Sequence, residues 1–420
     1  MRVALTLAVC LWLGSDGRAA ELRAGAATID ITPPTGYAMW GYASRKDAPS
    51  DGVLEPLKAR ALVLTVGETS IALVSLDLGR SPTRESFARI RAKTKKDAGI
   101  EHLFLVASHT HHGPVLELED WPTPEKSYVH ELEGKLAKVI VEAAEARQPA
   151  RLGIVEKEVD ANRNRHWRRP DPPVDRALLV LRVEDLKGKP IAHAVNFAAH
   201  PTMLDRKVHK FAPDYVGALC AAVEKKTEVP CLFLQGACGD LSPNPRGQAD
   251  PAAFGKYVAG LVLELIPKIE CKEGADATLK VAHETLRFKG RLDLSNVVVR
   301  GALGYAFYPE LIKFYEREYR EGVRPCLSVA VLDGRIGIVG VSGEVFCGHS
   351  LHLKKRAGLE HLLFLGYCND YQQYFPTIES AAQGGYGTEP YIASAEIGAG
   401  ERIMDRALTL LFELRGKLKK

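Results

Sequence analysis

The sequence has 420 residues, of which 46% are hydrophobic and 26% are charged, and its formal net charge is +4. These proportions are typical of a globular protein with a large core, and they exclude disorder as the main state of the chain. The basic clusters, "RNRHWRRP" at 163–170 and "RGKLKK" at 415–420, lack the repeated phosphate-contacting pattern of a nucleic-acid-binding face, so we expect no nucleic-acid partner.

The N-terminus predicts a cleavable signal peptide over 1–20. Arg2 precedes an apolar run over 3–13 that is too short to span a membrane, and the small residue Ala19 suits a signal peptidase. The alternative is a first helix buried in the fold. We therefore expect a secreted or periplasmic protein. No linker, low-complexity tract or repeat interrupts 21–420, which we expect to form one large domain.

Strand-like and helical segments follow one another along the chain. The apolar runs that predict strands are "ARALVLTV", "TSIALVSLDL", "HLFLVAS", "RALLVLRV", "IAHAVNFAA", "PCLFLQGA", "CLSVAVLD" and "RIGIVGVS". The periodic segments that predict helices are Arg84 to Ala98, Tyr128 to Ala146, Tyr215 to Lys226, Ala252 to Ile269 and Arg402 to Leu418. Many strands are apolar on consecutive positions, as in sheets covered on both faces. The pattern predicts an α/β fold of mixed β-sheets, stacked and flanked by helices as an α/β/β/α-like sandwich.

Four of the predicted strands end in polar residues that can carry chemistry. These ends read "ASHTHHGP", "NFAAHPT", "LQGACGDLSPNP" and "VGVSGEVF". In sheets covered by helices, functional side chains lie in the loops that leave the strands. We therefore expect the functional site where these four loops meet.

The first of these loops places three histidines within four residues. On an extended backbone His109 and His111 share one face while His112 points to the other. One imidazole of such a pair can bind a metal, and the other can act as acid and base or as a second ligand. The alternative is a hydrogen-bonded histidine turn. His200, which also leaves an apolar strand, favours the metal hypothesis.

A series of motifs along the chain resembles the neutral/alkaline, non-lysosomal ceramidases, which are zinc-dependent amidases. In order, they are "GAATIDITPPTG", "GYASR", "HTHHGP", "NRNR", "FAAHPTM", "GACGDLSPN", "SGEVF" and "YFPTIESAAQGGYG". Several are weak individually, but they occur in the family's order across nearly the whole mature chain. The resemblance is to the family's N-terminal, catalytic domain.

The resemblance implies a zinc site with four ligands. The first histidine of the family's HTH corresponds to His109, and the histidine of its FAxH corresponds to His200. The acidic ligand corresponds to Glu344 and the tyrosine ligand to Tyr374. Two imidazoles, a carboxylate and a phenol oxygen form a donor set that suits zinc and leaves room for a water.

The resemblance also implies the catalytic groups. A second family tyrosine lies twelve positions after the ligand tyrosine and corresponds to Tyr386, and with Arg163 it would stabilise the developing oxyanion. Arg165 replaces Arg163 if the alignment shifts by two residues. His111 would accept the proton of the zinc-bound water and deliver it to the departing amine.

Ser242 resembles the serine of the family's Gly-Asp-x-Ser-Pro-Asn segment and invites a role as nucleophile. A serine needs a base within hydrogen-bonding reach, and His111 already has another task. Asp240 and Asn244 flank the serine and are residues that stabilise turns. A turn that shapes the wall of the site is therefore the favoured interpretation, and the nucleophile is the alternative.

The resemblance implies a zinc-dependent hydrolase that cleaves an amide bond of a ceramide-like N-acylated lipid or a related N-acyl amide through a zinc-activated water. Two alternatives are a zinc esterase or amidase acting on small soluble acyl compounds, and a non-catalytic binding protein. His111 and Tyr386 argue against the last, because recognition needs no proton donor. The expected partners are the substrate and, peripherally, a membrane; no oligomeric state follows from the sequence.

Overall fold

Two β-sheets stacked face to face form the centre of the molecule. The structure, a computed structural model, describes residues 21–45, 48–272, 277–304 and 309–419. The predicted signal peptide at 1–20 lies outside the described residues.

The strands are short to medium in length, and most are buried. Their bounds are β1 Leu22–Asp30, β2 Gly52–Val53, β3 Lys58–Val66, β4 Thr69–Leu76, β5 His102–Ala107, β6 Gln148–Glu158, β7 Asn162–Asn164, β8 Ala177–Asp185, β9 Pro190–Phe197, β10 Lys210–Phe211, β11 Cys231–Gln235, β12 Leu241–Pro243, β13 Leu279–Thr285, β14 Cys326–Leu332, β15 Ile336–Val341, β16 Glu344–Val345, β17 His361–Leu365 and β18 Tyr374–Phe375.

The helices lie between the strands and after them. Their bounds are α1 Arg84–Ala98, α2 Tyr128–Glu145, α3 Tyr215–Thr227, α4 Pro251–Leu265, α5 Val297–Gly304, α6 Pro309–Glu318, α7 Cys347–Ala357, α8 Ile378–Gln383 and α9 Ala399–Leu414. No helix within the described ranges combines the length and the apolar character that crossing a bilayer requires.

The larger sheet has eight strands in the order β11-β9-β8-β6-β1-β3-β4-β5, and the smaller has four in the order β13-β14-β15-β17. Both are mixed. In the larger sheet β4 pairs with β5 in parallel and with β3 antiparallel, and in the smaller sheet β15 pairs with β17 in parallel and with β14 antiparallel. Short two-stranded ribbons join β2 with β10, β7 with β12, and β16 with β18. The last two ribbons border the site described below.

Alternate residues along each strand fill different layers of core. In β5, Leu103 and Leu105 face α1 and α2, whereas Phe104 and Val106 face the smaller sheet. Helices α3 and α4 cover the other half of the larger sheet, and α7 and α9 cover the outer face of the smaller one. The predicted fold class, mixed sheets stacked and flanked by helices, is thus confirmed.

Local signals explain where the helices begin and end. Helix α1 has the predicted bounds because Thr83 caps its N-terminus, accepting from the Ser86 amide, and Gly99 ends it in a left-handed conformation. Helix α4 ends at Leu265, earlier than predicted, and continues as a 3-10 turn that contains Pro267.

Candidate metal centre

The loops after β5 and β9 converge although the two strands lie far apart in the larger sheet. The sheet curls so that β11 contacts β4 and β5. Gln235, at the end of β11, donates from its amide nitrogen to the carbonyls of Ser108 (2.7 Å) and Ala199 (3.0 Å). Each of these residues directly precedes a histidine, and the Nε2 atoms of His109 and His200 lie 2.9 Å apart.

The extended backbone that we expected at His109 is wrong. Its φ of 71° lies in the left-handed region, and the chain turns there. His111 nevertheless reaches the cluster, with its Nε2 3.3 Å from Nε2 of His109, because the turn and not strand alternation brings the rings together. His112 is directed elsewhere, with its Nε2 3.3 Å from the Asp205 carbonyl.

Hydrogen bonds to backbone carbonyls orient the two innermost imidazoles. Nδ1 of His109 lies 2.7 Å from the Gly79 carbonyl, and Nδ1 of His200 lies 2.9 Å from the Cys238 carbonyl. A carbonyl only accepts, so each Nδ1 carries the proton and each Nε2 presents a lone pair. Burial lowers the pKa of His200 and Arg165 lowers it further, which keeps this imidazole neutral. Two lone pairs that face each other repel unless a positive group lies beside them, and both the Arg165 guanidinium, 3.2 Å from Nε2 of His200, and a bound metal ion would relieve this repulsion.

Glu344 completes this arrangement from the smaller half of the molecule. Its Oε2 lies 3.3 Å from Nε2 of His109 and 3.5 Å from Nε2 of His200. Its other oxygen accepts a hydrogen bond of 2.5 Å from the Tyr371 hydroxyl. Burial opposes ionisation of Glu344, but His109 and the tyrosine hydroxyls outweigh it and lower the carboxyl pKa. An ionised carboxylate therefore borders the histidine pair.

Tyr374 lies beside Glu344 because β16 and β18 are parallel and pair these two residues. Its hydroxyl accepts from Nη2 of Arg165 at 3.2 Å and is hydrogen-bonded to Glu344. Burial and the charge of Glu344 raise the phenol pKa well above its usual value. All four predicted ligands, His109, His200, Glu344 and Tyr374, are thus brought together, and their roles stay predictions.

His111 lies at the boundary between the cluster and a cavity. Its ring packs edge-on against Trp40 and Tyr42, and its buried Nδ1 has no hydrogen-bond partner. Burial lowers its pKa well below the usual value. Gly41 permits this packing, because a Cβ there would lie 2.6 Å from the His111 Cα. The first residue of the "GYASR" motif must therefore be a glycine, because any side chain there would collide with His111.

The structure brings Arg165, and not Arg163, to the cluster. Arg163 is exposed on β7. The Asn164 side chain accepts from the amides of His166 and Trp167, forming a turn that redirects the chain. Nη2 of Arg165 consequently lies 3.2 Å from Nε2 of His200. The structure therefore favours the alternative, Arg165, over Arg163, and the catalytic role of the arginine stays a prediction.

Ser242 lies in β12 and not in the turn that we expected. It pairs with Arg163 across the β7–β12 ribbon, so the two side chains share a face, while Leu241 on the opposite face is fully buried. Asp240 does not hold a local turn: its carboxylate accepts from the Cys347 amide and from Asn164. The ribbon therefore directs Ser242 away from the core that Leu241 enters.

Tyr386 lies at the mouth of the site. It is 53% exposed, its ring stacks on His166, and it is hydrogen-bonded to Tyr374. It also lines a cavity of about 140 Å³ next to the cluster. Other walls of that cavity are His111, Glu344, Trp40, Tyr42, Leu311 and Ile392. Polar groups thus converge at one end of a largely aromatic and aliphatic pocket.

The donor set fits a zinc ion. Within the described ranges, His109, His111 and His200 are the group of metal-ligating side chains whose atoms lie within 4.8 Å of one another. Ligands about 2.0–2.1 Å from a tetrahedral zinc are about 3.3 Å apart. Oε2 of Glu344 lies 3.3 Å from Nε2 of His109 and 3.5 Å from Nε2 of His200, close to that spacing, whereas the two Nε2 atoms, 2.9 Å apart, are somewhat closer together. The buried histidine group could therefore bind a metal, with Glu344 beside it.

Sequence reasoning missed three residues that organise this site: Gln235, Tyr367 and Tyr371. The Tyr367 hydroxyl lies 3.3 Å from Oε2 of Glu344 and 3.2 Å from Sγ of Cys238. Gln235 could have been identified from the sequence, because it is a polar residue at the end of an apolar strand. The tyrosines had none, because they lie in an irregular segment with no periodicity.

Comparisons with known proteins identify the family of the chain. The family model described as neutral/alkaline non-lysosomal ceramidase, N-terminal, matches residues 22–254. The neutral ceramidase of Pseudomonas aeruginosa is 30% identical over 267 residues, which are 56% of this chain and 39% of that protein. Neutral ceramidase B of Dictyostelium discoideum is 35% identical over 86 residues, 18% of this chain and 12% of that one. The chain thus spans well under half the length of these relatives.

Solved structures show the same fold. The crystal structure of neutral ceramidase from Pseudomonas aeruginosa superposes with a TM-score of 0.77 at 20% identity, covering 96% of this chain and 75% of that chain. A ceramidase complexed with C2 superposes equally well, with a TM-score of 0.77 at 19% identity, covering 95% of this chain and 76% of that chain. Because the family match covers more than half of the sequence, the protein belongs to the neutral/alkaline non-lysosomal ceramidase family.

Proposed function

We propose that the protein is a zinc-dependent amidohydrolase that cleaves the amide bond of a ceramide-like N-acylated lipid or a related N-acyl amide. The observation that carries this proposal is the pair of imidazole lone pairs, on His109 and His200, that face each other across 2.9 Å beside the carboxylate of Glu344. Family membership supports hydrolysis of an amide, and the neutral ceramidases are its named relatives.

The metal would be held by His109, His200, Glu344 and Tyr374. When bound there, zinc supplies Lewis acidity to a carbonyl oxygen and to a water molecule. The backbone carbonyls of Gly79 and Cys238 fix the ligand tautomers, as carbonyl partners of metal-bound histidines commonly do.

His111 is proposed to move the proton. It is neutral because burial lowers its pKa, so its ring can accept a proton from the attacking water and return it to the departing amine. It lines the cavity, which gives the imidazole access to a substrate. The alternative is that His111 is a third imidazole ligand, because its Nε2 lies close enough to Nε2 of His109, at 3.3 Å, for both to bind one metal ion. The variant His111→Ala, described in the Discussion, distinguishes the two roles.

Arg165 and Tyr386 are proposed to stabilise the oxyanion. The neighbouring Tyr374 and Glu344 outweigh the effect of burial and raise the pKa of Arg165, so its guanidinium remains charged. Tyr386 is 53% exposed and lines the cavity at its mouth, and both it and Arg165 are hydrogen-bonded to Tyr374. A cation and a phenol hydroxyl on either side of Tyr374 are suitable donors for a carbonyl oxygen that becomes negative.

Ser242 is proposed to be a structural residue. Its place in β12, opposite Arg163, directs it away from the buried face of the ribbon. If it were instead the nucleophile, mass spectrometry of enzyme quenched during turnover would find an acyl group on Ser242. We expect none.

The substrate is proposed to enter with its amide end first. A cavity of about 140 Å³ is smaller than the ~300–1,000 Å³ of sites that enclose a drug-sized ligand, so acyl or alkyl chains would extend towards the mouth. Tyr391 is 43% exposed near this mouth, and Val297 and Val298 at the start of α5 are 82% and 80% exposed. Such apolar residues support peripheral contact with a membrane by a secreted or periplasmic enzyme.

The test is hydrolysis of a panel of fluorogenic N-acyl amides and matching esters, with and without a chelator. We expect chelation to abolish amide cleavage and added zinc to restore it. His109→Ala should lose both bound zinc and activity, whereas His130→Ala, which changes an exposed side chain of α2, should lose neither. Cleavage of esters alone would favour the esterase, and metal binding without any cleavage would favour the binding protein.

A further inference from the structure

Tyr386 lies on a glycine-rich loop, "GGYG" at 384–387. The three glycines have φ values of 68°, 102° and 89°. Glycine adopts more backbone conformations than other residues, so ordering such a loop costs more conformational entropy. The Tyr386 side chain is also 53% exposed. A hydroxyl that stabilises an oxyanion needs a fixed position, so contacts from another segment must hold this loop.

His166 supplies such a contact. Its imidazole is nearly parallel to the Tyr386 ring, with ring centroids 5.8 Å apart and an interplanar angle of 10°. The same imidazole stacks on Phe346, with centroids 5.4 Å apart and an angle of 16°. Phe346 is fully buried, two residues after Glu344. His166 thus links the exposed ring of Tyr386 to a ring in the core.

The backbone of the loop packs against the same two rings. A Cβ on Gly387 would lie 3.0 Å from Cζ of Phe346 and 3.4 Å from Nε2 of His166. Because Gly387 has a positive φ as well, a glycine is required there for two reasons. The loop therefore rests on His166 both through its backbone and through the ring of Tyr386.

The contact between His166 and Tyr386 is one of packing. Nε2 of His166 is buried and has no hydrogen-bond partner. Burial and the neighbouring Arg165 lower the pKa of this imidazole to about 4, so the ring is neutral at pH 7. Loss of one stacked pair of aromatic rings lowers the population of the stacked arrangement by roughly 2–10-fold. A phenylalanine at position 166 would preserve the stack, whereas an alanine would not.

One turn orients His166 and its neighbour Arg165. The side-chain oxygen of Asn164 accepts from the amides of His166 and Trp167, at 2.9 and 2.8 Å. The turn directs Arg165 to the histidine cluster and His166 to Tyr386. The same short segment therefore positions the guanidinium directly and the phenol hydroxyl through a ring contact.

We propose that His166 is a positioning residue, which holds the hydroxyl of Tyr386 at the mouth of the cavity by stacking on its ring. The proposal rests on the proposed function, in which Tyr386 donates to the oxyanion. His166 does not line the cavity, so it acts through Tyr386 and not on the substrate. Its effect should consequently disappear when the hydroxyl of Tyr386 is removed.

The test is a double-mutant cycle of His166→Ala and Tyr386→Phe, with kcat and KM measured on an N-acyl amide. We expect Tyr386→Phe to lower kcat by about 10²–10³, as loss of one oxyanion donor does. His166→Ala should lower kcat by about 2–10-fold in the parent chain and have no further effect in Tyr386→Phe. KM should change little, because the oxyanion exists only in the transition state.

Two further variants are controls for this cycle. His166→Phe keeps an aromatic ring in the stack, and its kcat should stay within about twofold of the parent's. Trp167→Ala removes the neighbouring ring, whose indole nitrogen donates to the Pro170 carbonyl at 3.4 Å, and should behave as the parent does. A loss in His166→Phe as large as that in His166→Ala would contradict a role in stacking.

The outcomes separate this proposal from the proposed function. An unchanged kcat in His166→Ala, together with an impaired Tyr386→Phe, would overturn the positioning role alone. Equal losses from His166→Ala in both backgrounds would also overturn it, because the ring would then act without Tyr386. An unchanged kcat in Tyr386→Phe would refute the oxyanion role of Tyr386 under the proposed function, and the catalytic effect of the stack with it.

A second measurement does not depend on activity. Hydrogen–deuterium exchange of the peptide that covers 384–388 reports on the order of the loop, in which the Thr388 amide donates to the Gly385 carbonyl at 3.1 Å. We expect faster exchange of this peptide in His166→Ala than in the parent chain, and parent-like exchange in His166→Phe. Equal exchange in all three proteins would show that the imidazole does not hold the loop, and would overturn the proposal.

Discussion

The two halves of the candidate metal centre are built in different ways. His109 and His200 follow directly from regular strands, β5 and β9. Glu344 lies in a two-residue strand, and the tyrosines around it belong to the segment 366–377, which is irregular apart from the two residues of β18. Rigid elements therefore position the imidazoles, whereas a loop positions the hydroxyl groups that surround the carboxylate.

The histidine half is held by backbone bonds and by one amide. Gln235 is fully buried and bonds to the carbonyls of Ser108 and Ala199, which directly precede His109 and His200. Few side chains are needed because the strands themselves supply the rigidity.

The tyrosine half is held by buried polar side chains. Four residues of the segment 366–377 have a positive φ, namely Tyr367, Asn369, Asp370 and Gln373. Such conformations cost roughly 1–3 kcal/mol each and persist only where the surroundings enforce them. Asn369 bonds to β5 through the Leu103 carbonyl and the Leu105 amide. Asp370 pairs with fully buried Arg80 at 3.0 Å, and Arg80 also pairs with Glu117 at 3.1 Å.

Because of this difference, we expect side-chain substitutions to have different effects in the two halves. Loss of a side chain in the histidine half would alter the spacing of two imidazoles, while the strands remain. Loss of an ion pair in the tyrosine half would leave buried charges unpaired and release a strained loop. The variants below separate the two cases, from the largest expected effect to the smallest.

His111→Ala addresses the group that stands between the two halves. We expect turnover of an N-acyl amide to fall by about 10²–10⁴, the range for loss of a positioned proton-transfer group, while bound zinc is retained. Zinc content by mass spectrometry and kcat on the same sample are the measurements. Zinc loss in this variant would make His111 a ligand and remove its proposed role in proton transfer.

Arg80→Met removes the cation that holds the tyrosine half. We expect a loss of about 3–5 kcal/mol in the free energy of unfolding, because buried Glu117 and Asp370 lose the guanidinium that they share, although Asp370 keeps its pair with Arg84 at 3.3 Å. Urea denaturation followed by circular dichroism is the measurement. Arg335→Met breaks the exposed pair with Glu360 and should change stability by less than about 1 kcal/mol. Similar losses in both variants would refute the special role of the buried pair.

Arg165→Met and Arg163→Met form a matched pair that differs only in placement. We expect Arg165→Met to lower kcat by about 10²–10³, as loss of one oxyanion donor does, because its guanidinium lies at the cluster. Arg163→Met should have little effect, because Arg163 is exposed on β7. A larger loss for Arg163 would restore the assignment that the structure disfavours.

Gln235→Met removes the amide that spaces the two histidines. We expect zinc affinity to weaken by about 10–100-fold, the usual effect of losing a residue that orients metal ligands. Competition with a chromogenic chelator measures it. Asn196→Leu is the control, since this buried amide also bonds to two carbonyls, those of Leu234 and Phe364, but none adjacent to a ligand. Equal zinc affinity in Gln235→Met and the parent chain would show that the strands alone set the spacing.

The outcome of sequence reasoning follows the same division between the two halves. Apolar runs and periodicity predict the stacked sheets with their helices, since burial on both faces leaves a readable pattern in each strand. The histidines at the strand ends stand out for the same reason. Helices α5 to α8 were not predicted, and neither Tyr367 nor Tyr371 was identified, because short helices and irregular loops leave no period to read.

The sequence by itself determined the α/β layers, the family resemblance and the residue types of the candidate metal centre, because these depend on local pattern and on motif order. Only the tertiary structure decided which arginine reaches the site. An Asx turn at Asn164 redirects the chain there, and the spacing of the motif does not reveal the hydrogen bonds that form this turn. The tertiary structure likewise placed Ser242 in a strand, through pairing with a segment about eighty residues away. The physical reason is that motif order constrains neighbours along the chain, whereas side-chain direction depends on hydrogen bonds between distant segments.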